Sequence, residues 1–298
     1  MYVIIGLMKK YTIKGYINGI IAAVSYGMNP LFALPMFSKG LGVNSVLFYR
    51  YFFAVVMYGF WLVFYKKISL KITPKQFGII GILAIIFSLS SLFLFEAFNY
   101  MDSGLACTIL FSYPLIVALI SKIFFKERMP KVIWLAIFMT ILGISILYSG
   151  QIGGNFSIKG VIYVLLSALS YAIYMVGIKQ INEIRHIKPD KLTFYVMFLG
   201  LSVYIWNLKF CTELQPLTDP LVFICGLMLA LFPTIISLET ITFAIKFIGA
   251  TKTAILGALE PLTALFFGIF LFGETITTKI LLGIILILSG VILVISKK

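Results

Sequence analysis

Four ionisable side chains lie inside long apolar stretches of this sequence: Arg50, Glu96, Glu239 and Glu260. An ionisable group in an apolar interior is costly, so each of the four requires a partner or a functional reason. A carboxylate at such a position can bind an amine or carry a proton, and residues of opposite charge can pair. These four residues are therefore the first candidates for function.

Glu260 is the strongest of these candidates. It lies about eight residues from Lys252, or roughly 12 Å along a helix. Pro261 follows it and frees a backbone carbonyl one turn earlier, and Pro114 follows Tyr113 at the matching place 147 residues before. Such matching helix interruptions point to a transporter site. The carboxyl group would bind a substrate amine or carry a coupling proton; alternatively, it caps loose backbone amides or pairs with a polar neighbour.

The other three ionisable residues leave two interpretations each. Arg50 and Glu96 fall near the outer ends of their apolar stretches, where they would form one ion pair that closes the outer side or would snorkel separately to the interface. Glu239 lies two helical turns before Lys246, too far for an i, i+4 pair. It would face a substrate cavity or hydrogen-bond to a neighbouring hydroxyl.

An asparagine and several tyrosines add polar groups to the apolar runs. Asn29 precedes Pro30, where the helix should bend, so its amide would bond either the freed backbone or a substrate. Tyrosine offers a flat apolar face with a hydroxyl, which suits a semi-polar ligand, although it is also common at lipid interfaces. The predicted binding residues are Glu260, Tyr113, Asn29, Tyr26, Tyr171, Tyr174 and Glu239, with Arg50 and Glu96 as a gating ion pair.

The composition indicates a polytopic membrane protein. Of 298 residues, 61% are apolar and 11% are charged, against about 45–50% and about 25% in soluble domains. A single globular core cannot hide this much apolar surface. A soluble enzyme, a nucleic-acid binder and a disordered chain are therefore excluded, and the net charge of +14 is assigned to loops at a membrane face.

The sequence predicts no metal and no cofactor. The single histidine, His186, lies in a charged loop, and the three cysteines suggest neither a disulfide nor a metal framework. No GxGxxG or GxxxxGK[ST] run occurs, so ATP is not expected to drive this chain. A membrane-embedded enzyme is disfavoured because no nucleophile, base or metal is gathered near the bilayer.

Ten apolar runs predict ten transmembrane helices. They cover residues 15–37, 44–65, 76–99, 103–125, 131–149, 159–180, 190–208, 220–245, 251–272 and 278–296. With the N-terminus inside, 19 of the 24 basic residues fall on the inner side, four fall outside, and Arg50 alone lies in a span. Because excess basic residues mark cytoplasmic loops, both termini are predicted to lie in the cytoplasm. The expected location of the chain is the inner membrane of the cell.

The two halves of the chain resemble each other. Five matches share an offset of 145 or 147 residues: Lys14-Gly15 with Lys159-Gly160, Ser25-Tyr26 with Ser170-Tyr171, Pro114 with Pro261, Glu127 with Glu274, and Gly143 with Gly290. Each half has five spans, an odd number, so the second half enters the membrane from the opposite side. We therefore predict an all-α fold of two inverted five-helix repeats, residues 1–149 and 150–298, as is typical of secondary transporters.

Several motifs also follow a known order. They are Tyr26-Gly27-Met28-Asn29, Arg50 within Leu47-Phe48-Tyr49-Arg50-Tyr51, the stretch from Gly104 to Glu127, and Leu259-Glu260-Pro261 followed by Phe272-Gly273-Glu274. Together they resemble the EamA-type branch of the drug/metabolite transporter superfamily over nearly the whole chain. Lys126-Glu127 departs from the Gly-Glu that is usual in this family. The resemblance implies a ten-helix bundle, a central cavity and export of small metabolites.

The leading hypothesis is a secondary transporter that exports small polar metabolites, with amino acids as the expected class, by alternating access between the repeats. Alternatives on the same fold are a flippase for lipid-linked head groups and a drug efflux carrier. The expected partners are a small metabolite and membrane lipid, with no nucleic acid. Coupling to protons, uniport and exchange stay open, as do the monomer and the homodimer.

Overall fold

In a computed structural model, all regular secondary structure among the residues that the structure describes, 2–101, 103–148, 157–272 and 278–296, is helical, and no strand occurs among them. The helices in chain order are α1 (Tyr2–Gly27), α2 (Asn29–Ser38), α3 (Val43–Phe60), α4 (Pro74–Ala97), α5 (Ser103–Leu110), α6 (Tyr113–Phe125), α7 (Lys131–Tyr148), α8 (Ile158–Gln180), α9 (Asn182–Arg185), α10 (Pro189–Asn207), α11 (Pro220–Ala230), α12 (Ser237–Ile248), α13 (Ala250–Leu256), α14 (Leu259–Phe272) and α15 (Thr278–Ser296). Two π-helical turns, Trp61–Tyr65 and Leu231–Ile236, continue α3 and join α11 to α12.

The chain has the layout of a multi-pass membrane protein. Within the described part of the chain, five helical stretches are long and apolar enough to cross a membrane: Tyr11–Ser38, Val43–Tyr65, Pro74–Ala97, Ile158–Gln180 and Pro220–Ile248. Shorter apolar helices cover Tyr113–Phe125, Lys131–Ile146 and Leu281–Ser296. Every predicted span overlaps a helix. The first, fourth, eighth and ninth spans each cover two helices in tandem: α1 with α2, α5 with α6, α11 with α12, and α13 with α14.

Local sequence explains where many of these helices begin. Thr73 and Gln76 form a reciprocal capping box at the start of α4, which satisfies backbone amides that have no partner within the helix. A proline in the first turn is tolerated because the N–H that it lacks would be unpaired there in any case. Such prolines begin α2, α4, α6, α10 and α11.

Helices of the first half pack mainly against helices of the second half. The helix α4 packs on α8 and α10, α1 packs on α12 and α14, α6 packs on α8, and α7 packs on α15. At the α7–α15 contact, a β-carbon on Gly143 would lie 2.9 Å from the carbonyl oxygen of Gly283, so the two backbones approach closely. The interface between the halves is therefore the core of the molecule.

Pro233 marks an irregular turn in the middle of the stretch Pro220–Ile248. The chain there adopts a π-helical turn, Leu231–Ile236, because proline supplies no N–H to the helical ladder. The hydroxyl of Thr234 donates to the carbonyl oxygen of Leu229 at 2.8 Å. Inserted π turns occur frequently at functional sites.

Candidate functional site

Three helix breaks meet at one small cavity between the halves. They separate α1 from α2, α5 from α6, and α13 from α14, and the last two lie where Pro114 and Pro261 predicted interrupted helices. The cavity has a volume of about 30 Å³, which holds about two water molecules. Its lining is Tyr26, Gly27, Asn29, Pro30, Leu94, Phe98, Cys107, Leu110, Phe111, Tyr113, Glu260 and Pro261.

Glu260 and Tyr113 contact each other in this cavity although they are far apart in sequence. The Tyr113 hydroxyl donates to Oε1 of Glu260 at 3.4 Å, and the backbone N–H of Glu260 donates to the carbonyl oxygen of Gly257 at 2.9 Å. Within the described ranges of the chain, Glu260 takes part in no ion pair. A half-buried carboxyl group with a single long side-chain hydrogen bond can accept a ligand ammonium or a proton.

Two glycines allow this close assembly. A β-carbon on Gly27 would overlap the carbonyl oxygen of Glu260 and lie 2.8 Å from Cβ of Thr263. A β-carbon on Gly257 would overlap the Tyr113 hydroxyl. Only glycine therefore lets α1 and the Tyr113 ring lie directly against the start of α14.

A layer of aromatic rings and one amide complete the surroundings. Asn29 is 3% exposed, and neither side-chain amide atom has a hydrogen-bond partner among the described residues. The ring of Tyr26 stacks on Tyr171 with centroids 6.1 Å apart, and Tyr113 meets Tyr171 edge-on at 4.9 Å. Tyr171 and Tyr174, whose rings stack at 6.5 Å, do not belong to the lining but form a second layer behind it.

The predicted ion pair between Arg50 and Glu96 is absent from this structure, in which both side chains are described and have other partners. Arg50 donates from Nε to the Thr234 hydroxyl at 2.6 Å and from Nη2 to the carbonyl oxygen of Pro233 at 3.1 Å. Oε2 of Glu96 accepts a hydrogen bond from the Asn99 amide at 3.3 Å. Arg50 faces the π turn instead, where backbone and hydroxyl oxygens are available.

Glu239 does not reach the cavity either, because it belongs to an ion-pair network elsewhere. Nζ of Lys66 lies 2.8 Å from Oδ2 of Asp190 and 3.1 Å from Oε1 of Glu239, and it lies 4.0 Å from the centroid of the Trp61 ring. Burial alone would lower the pKa of Lys66, but the hydrogen bonds and charges of Asp190 and Glu239 outweigh burial and raise it. The network joins the first half to two helices of the second half.

A larger, basic cavity adjoins this network. Its volume is about 490 Å³. It is lined by Lys66, Lys67, Ile68, Ser69, Lys71, Ile72, Gln76, His186, Ile187, Lys188 and Lys191. These residues lie in the segment 66–76, which runs into the first turn of α4, and in the segment 186–191, which runs into the first turn of α10. The charge pattern predicts that both segments lie on the inner side. No group of three or more histidine, cysteine or acidic residues that could hold a metal occurs among the described residues.

Sequence reasoning missed several residues of these sites. Cys107 lines the cavity, and its place six residues before Tyr113 in the same interrupted span was the available signal. Thr234 follows a proline inside an apolar run, which also marks a break that needs polar partners. Lys66 and Asp190 gave no signal, because their contact joins loops that are distant in sequence.

Comparison with known proteins places the chain among relatives. The profile of the EamA-like transporter family matches residues 13–149 and again residues 158–296. An uncharacterized transporter of Archaeoglobus fulgidus is 24% identical over 287 residues, 93% of each chain. The uncharacterized transporter YdfC of Bacillus subtilis is 25% identical over 197 residues, which span 64% of this chain and 62% of YdfC. A solved crystal structure superposes with a TM-score of 0.75 at 16% identity, over 94% of this chain and 95% of the other, which shows the fold alone.

Proposed function

The chain belongs to the EamA-like transporter family, and on that premise we propose that it is a secondary transporter built from two inverted five-helix repeats, residues 1–149 and 150–298. The ten helices would cross a cell inner membrane with both termini in the cytoplasm. Two matches to the family profile, the relatives that are named transporters and the charge asymmetry of the loops support this arrangement.

The proposed cargo is a small polar metabolite that carries an amine, with amino acids as the expected class. One observation carries this proposal: the Glu260 carboxyl group lines a cavity between the halves and, within the described part of the chain, has no cationic partner. The Tyr113 hydroxyl and the unpaired Asn29 amide supply further polar contacts beside it. A carboxylate in this setting would hold a ligand ammonium, and the neighbouring rings would cover its apolar part.

Transport would proceed by alternating access. The cavity of about 30 Å³ is too small for a metabolite, so the halves must move apart before cargo enters. The Lys66 network links α10 and α12 of the second half to the end of the α3 stretch in the first half. We assign this network to closure of the cytoplasmic side. When the cytoplasmic side opens, the stacked layer of tyrosine rings would slide as a unit; these rings are Tyr26, Tyr171 and Tyr174.

The energy source would be a gradient, exchange or facilitation. Glu260 offers a place for a coupling proton, because a carboxyl group that releases its proton as an ammonium group arrives links the two fluxes. A carrier of this kind would move either a proton or the cargo with Glu260, never both on the same oxygen. Proton coupling therefore predicts that the cargo and the proton compete for binding at Glu260, so that cargo binding releases a proton.

Counterflow in proteoliposomes tests the proposal. Liposomes that contain the purified protein are loaded with a mixture of amino acids, and uptake of each labelled amino acid is followed in turn. Uptake above that of empty liposomes is expected for at least one amino acid. The Glu260→Gln variant should fold, as judged by its melting temperature, and should lose most of this uptake or its dependence on pH.

Glu213→Gln is the matched control. Glu213 is exposed and pairs with Lys209 at 2.5 Å, away from the cavity, so this variant should transport like the wild type. Uptake by Glu260→Gln equal to that of Glu213→Gln at every pH would remove Glu260 from the mechanism. Uptake of none of the amino acids, with a requirement for lipid-linked substrates, would favour a flippase instead.

A further inference from the structure

Arg50 is a fully buried cation that has no carboxylate partner among the residues that the structure describes. Its exposed fraction is 0%, and the third nitrogen of its guanidinium, Nη1, has no hydrogen-bond partner among the described residues. It takes part in none of the ion pairs within the described ranges. An arginine inside a membrane span is expensive and is retained for a function more often than not.

Aromatic rings, rather than acids, surround the guanidinium. Its central carbon Cζ lies 5.8 Å from the ring centroid of Tyr26, 5.9 Å from that of Tyr51 and 5.7 Å from that of Phe95. Rings at such distances attract a cation but carry no net charge. The atoms of Thr234 and Pro233 that accept hydrogen bonds from Arg50 are also neutral oxygens. The positive charge therefore stays available to an anion.

The ring of Tyr26 connects Arg50 with the cavity. Arg50 packs on this ring, and the same ring lines the cavity together with Glu260 and Asn29. Phe95, another of the three rings at the guanidinium, directly follows Leu94 in sequence, and Leu94 also lines the cavity. Because the cavity must enlarge before it can hold a metabolite, a displacement of Tyr26 would expose the guanidinium to the cargo.

We propose that Arg50 binds the carboxylate of the transported amino acid when the Tyr26 ring moves aside, while Glu260 holds the ammonium group. This inference rests on the proposed function and narrows its cargo to zwitterions. The planar guanidinium fork matches the two oxygens of a carboxylate. Since Arg50 and Glu260 are not paired with each other, each is free to meet the opposite end of one ligand.

Selectivity between related cargoes tests this role. The probe is whichever of the twenty labelled amino acids gives the largest counterflow, with its amide and its decarboxylated amine as unlabelled competitors. In the wild type, the unlabelled amino acid should inhibit counterflow at a concentration about tenfold or more below that of its amide. This factor corresponds to the loss of one charge-assisted hydrogen bond. Arg50→Gln should lose this preference while it still carries the amide.

The outcomes separate the two proposals. An unchanged acid-over-amide ratio in Arg50→Gln overturns the role of Arg50 and leaves the proposed function standing. Counterflow of none of the twenty amino acids by the wild type overturns the proposed function, and this inference with it.

Two further variants guard against a purely structural effect, because Arg50 also holds the π turn. Arg50→Lys keeps the charge but loses the fork, so its acid-over-amide ratio should fall even where Arg50→Gln does not fold. Thr234→Val removes the acceptor of Nε and leaves the guanidinium, so its melting temperature should fall while its ratio is kept. If the acid-over-amide preference falls equally in Thr234→Val and Arg50→Lys, Arg50 has a structural role and does not bind the carboxylate.

Discussion

The variant Lys66→Gln should favour opening of the cytoplasmic side, where the proposed function places the ion-pair network of Lys66, Asp190 and Glu239. Lys66 joins the two halves through Asp190 and Glu239 at 2.8 and 3.1 Å. Without the ammonium group, both ion pairs disappear and two carboxylates of like charge face each other. The closed state should therefore lose stability relative to the state that is open on this side.

The structure sets the size of this effect. The three side chains are 29%, 21% and 25% exposed, so water screens the pairs only in part. Exposed ion pairs contribute about 0.2–1 kcal/mol each, whereas hydrogen bonds to charged groups inside proteins contribute about 1.5–3 kcal/mol. We take about 1–2 kcal/mol for the whole network, which changes the ratio of open to closed states by about 5–30-fold.

Cys107 provides a reporter, because it lines the cavity. In a background with Cys211→Ser and Cys225→Ser, the rate of alkylation by a membrane-impermeant maleimide is measured from each side of the membrane. Lys66→Gln should raise the rate from the side of the network by about 5–30-fold. The neighbouring Lys67→Gln is the control, because Lys67 is exposed and lies outside the network. Equal rates for the two variants from both sides would refute a gating role for Lys66.

Two further predictions concern packing and pH. Gly257→Ala should lower stability by about 1–3 kcal/mol, because its methyl group would overlap the Tyr113 hydroxyl; a thermal melt measures this loss, and adding Tyr113→Phe should restore part of it. Hydrogen bonds from Lys39 and from the backbone N–H of Leu221 hold the pKa of Asp219 below its ordinary 3.8. The stabilisation by Asp219 should therefore be complete above pH 3.8 and be lost as the pH falls through the lower pKa, and an acid titration of the melting temperature of Asp219→Asn should lack this step.

The chain positions of the helices, and of the breaks near Asn29, Pro114 and Pro261, could be predicted from the sequence, whereas the break at Pro233 was missed. Apolar runs bounded by charges fix a helix by its length and composition, and Pro114 and Pro261 interrupt the backbone for a local reason, the missing N–H. The offset of 147 residues also singled out Tyr113 and Glu260, which the structure joins by a hydrogen bond. Local chemistry and internal symmetry were sufficient for these features.

The partners of the other charged residues could not be predicted in this way. The depth of Arg50 in its apolar run gives its height along the helix but not the helix face on which it lies. The sequence therefore predicts Glu96, at a similar height, as its partner. For Glu239, the sequence offers Lys246 on the same helix as the nearest basic residue, whereas the partner in the structure, Lys66, lies 173 residues away. Pairing between helices depends on rotation about each axis and on packing, neither of which a single sequence contains.

The π turn at Leu231–Ile236 gives this span a mechanical property of its own. A π turn accommodates one residue more than an α turn does. Conversion of this π turn to an α turn would therefore rotate the following helix by about 100° about its axis and shift it by about 1.5 Å relative to the preceding helix. The helix that would rotate, Ser237–Ile248, carries Glu239. Arg50 donates hydrogen bonds to Pro233 and Thr234 within the π turn itself. Conversion of the π turn to an α turn would thus rotate α12 and move Glu239 away from Lys66 while α11 keeps its position, so one local change of helix type would break the network.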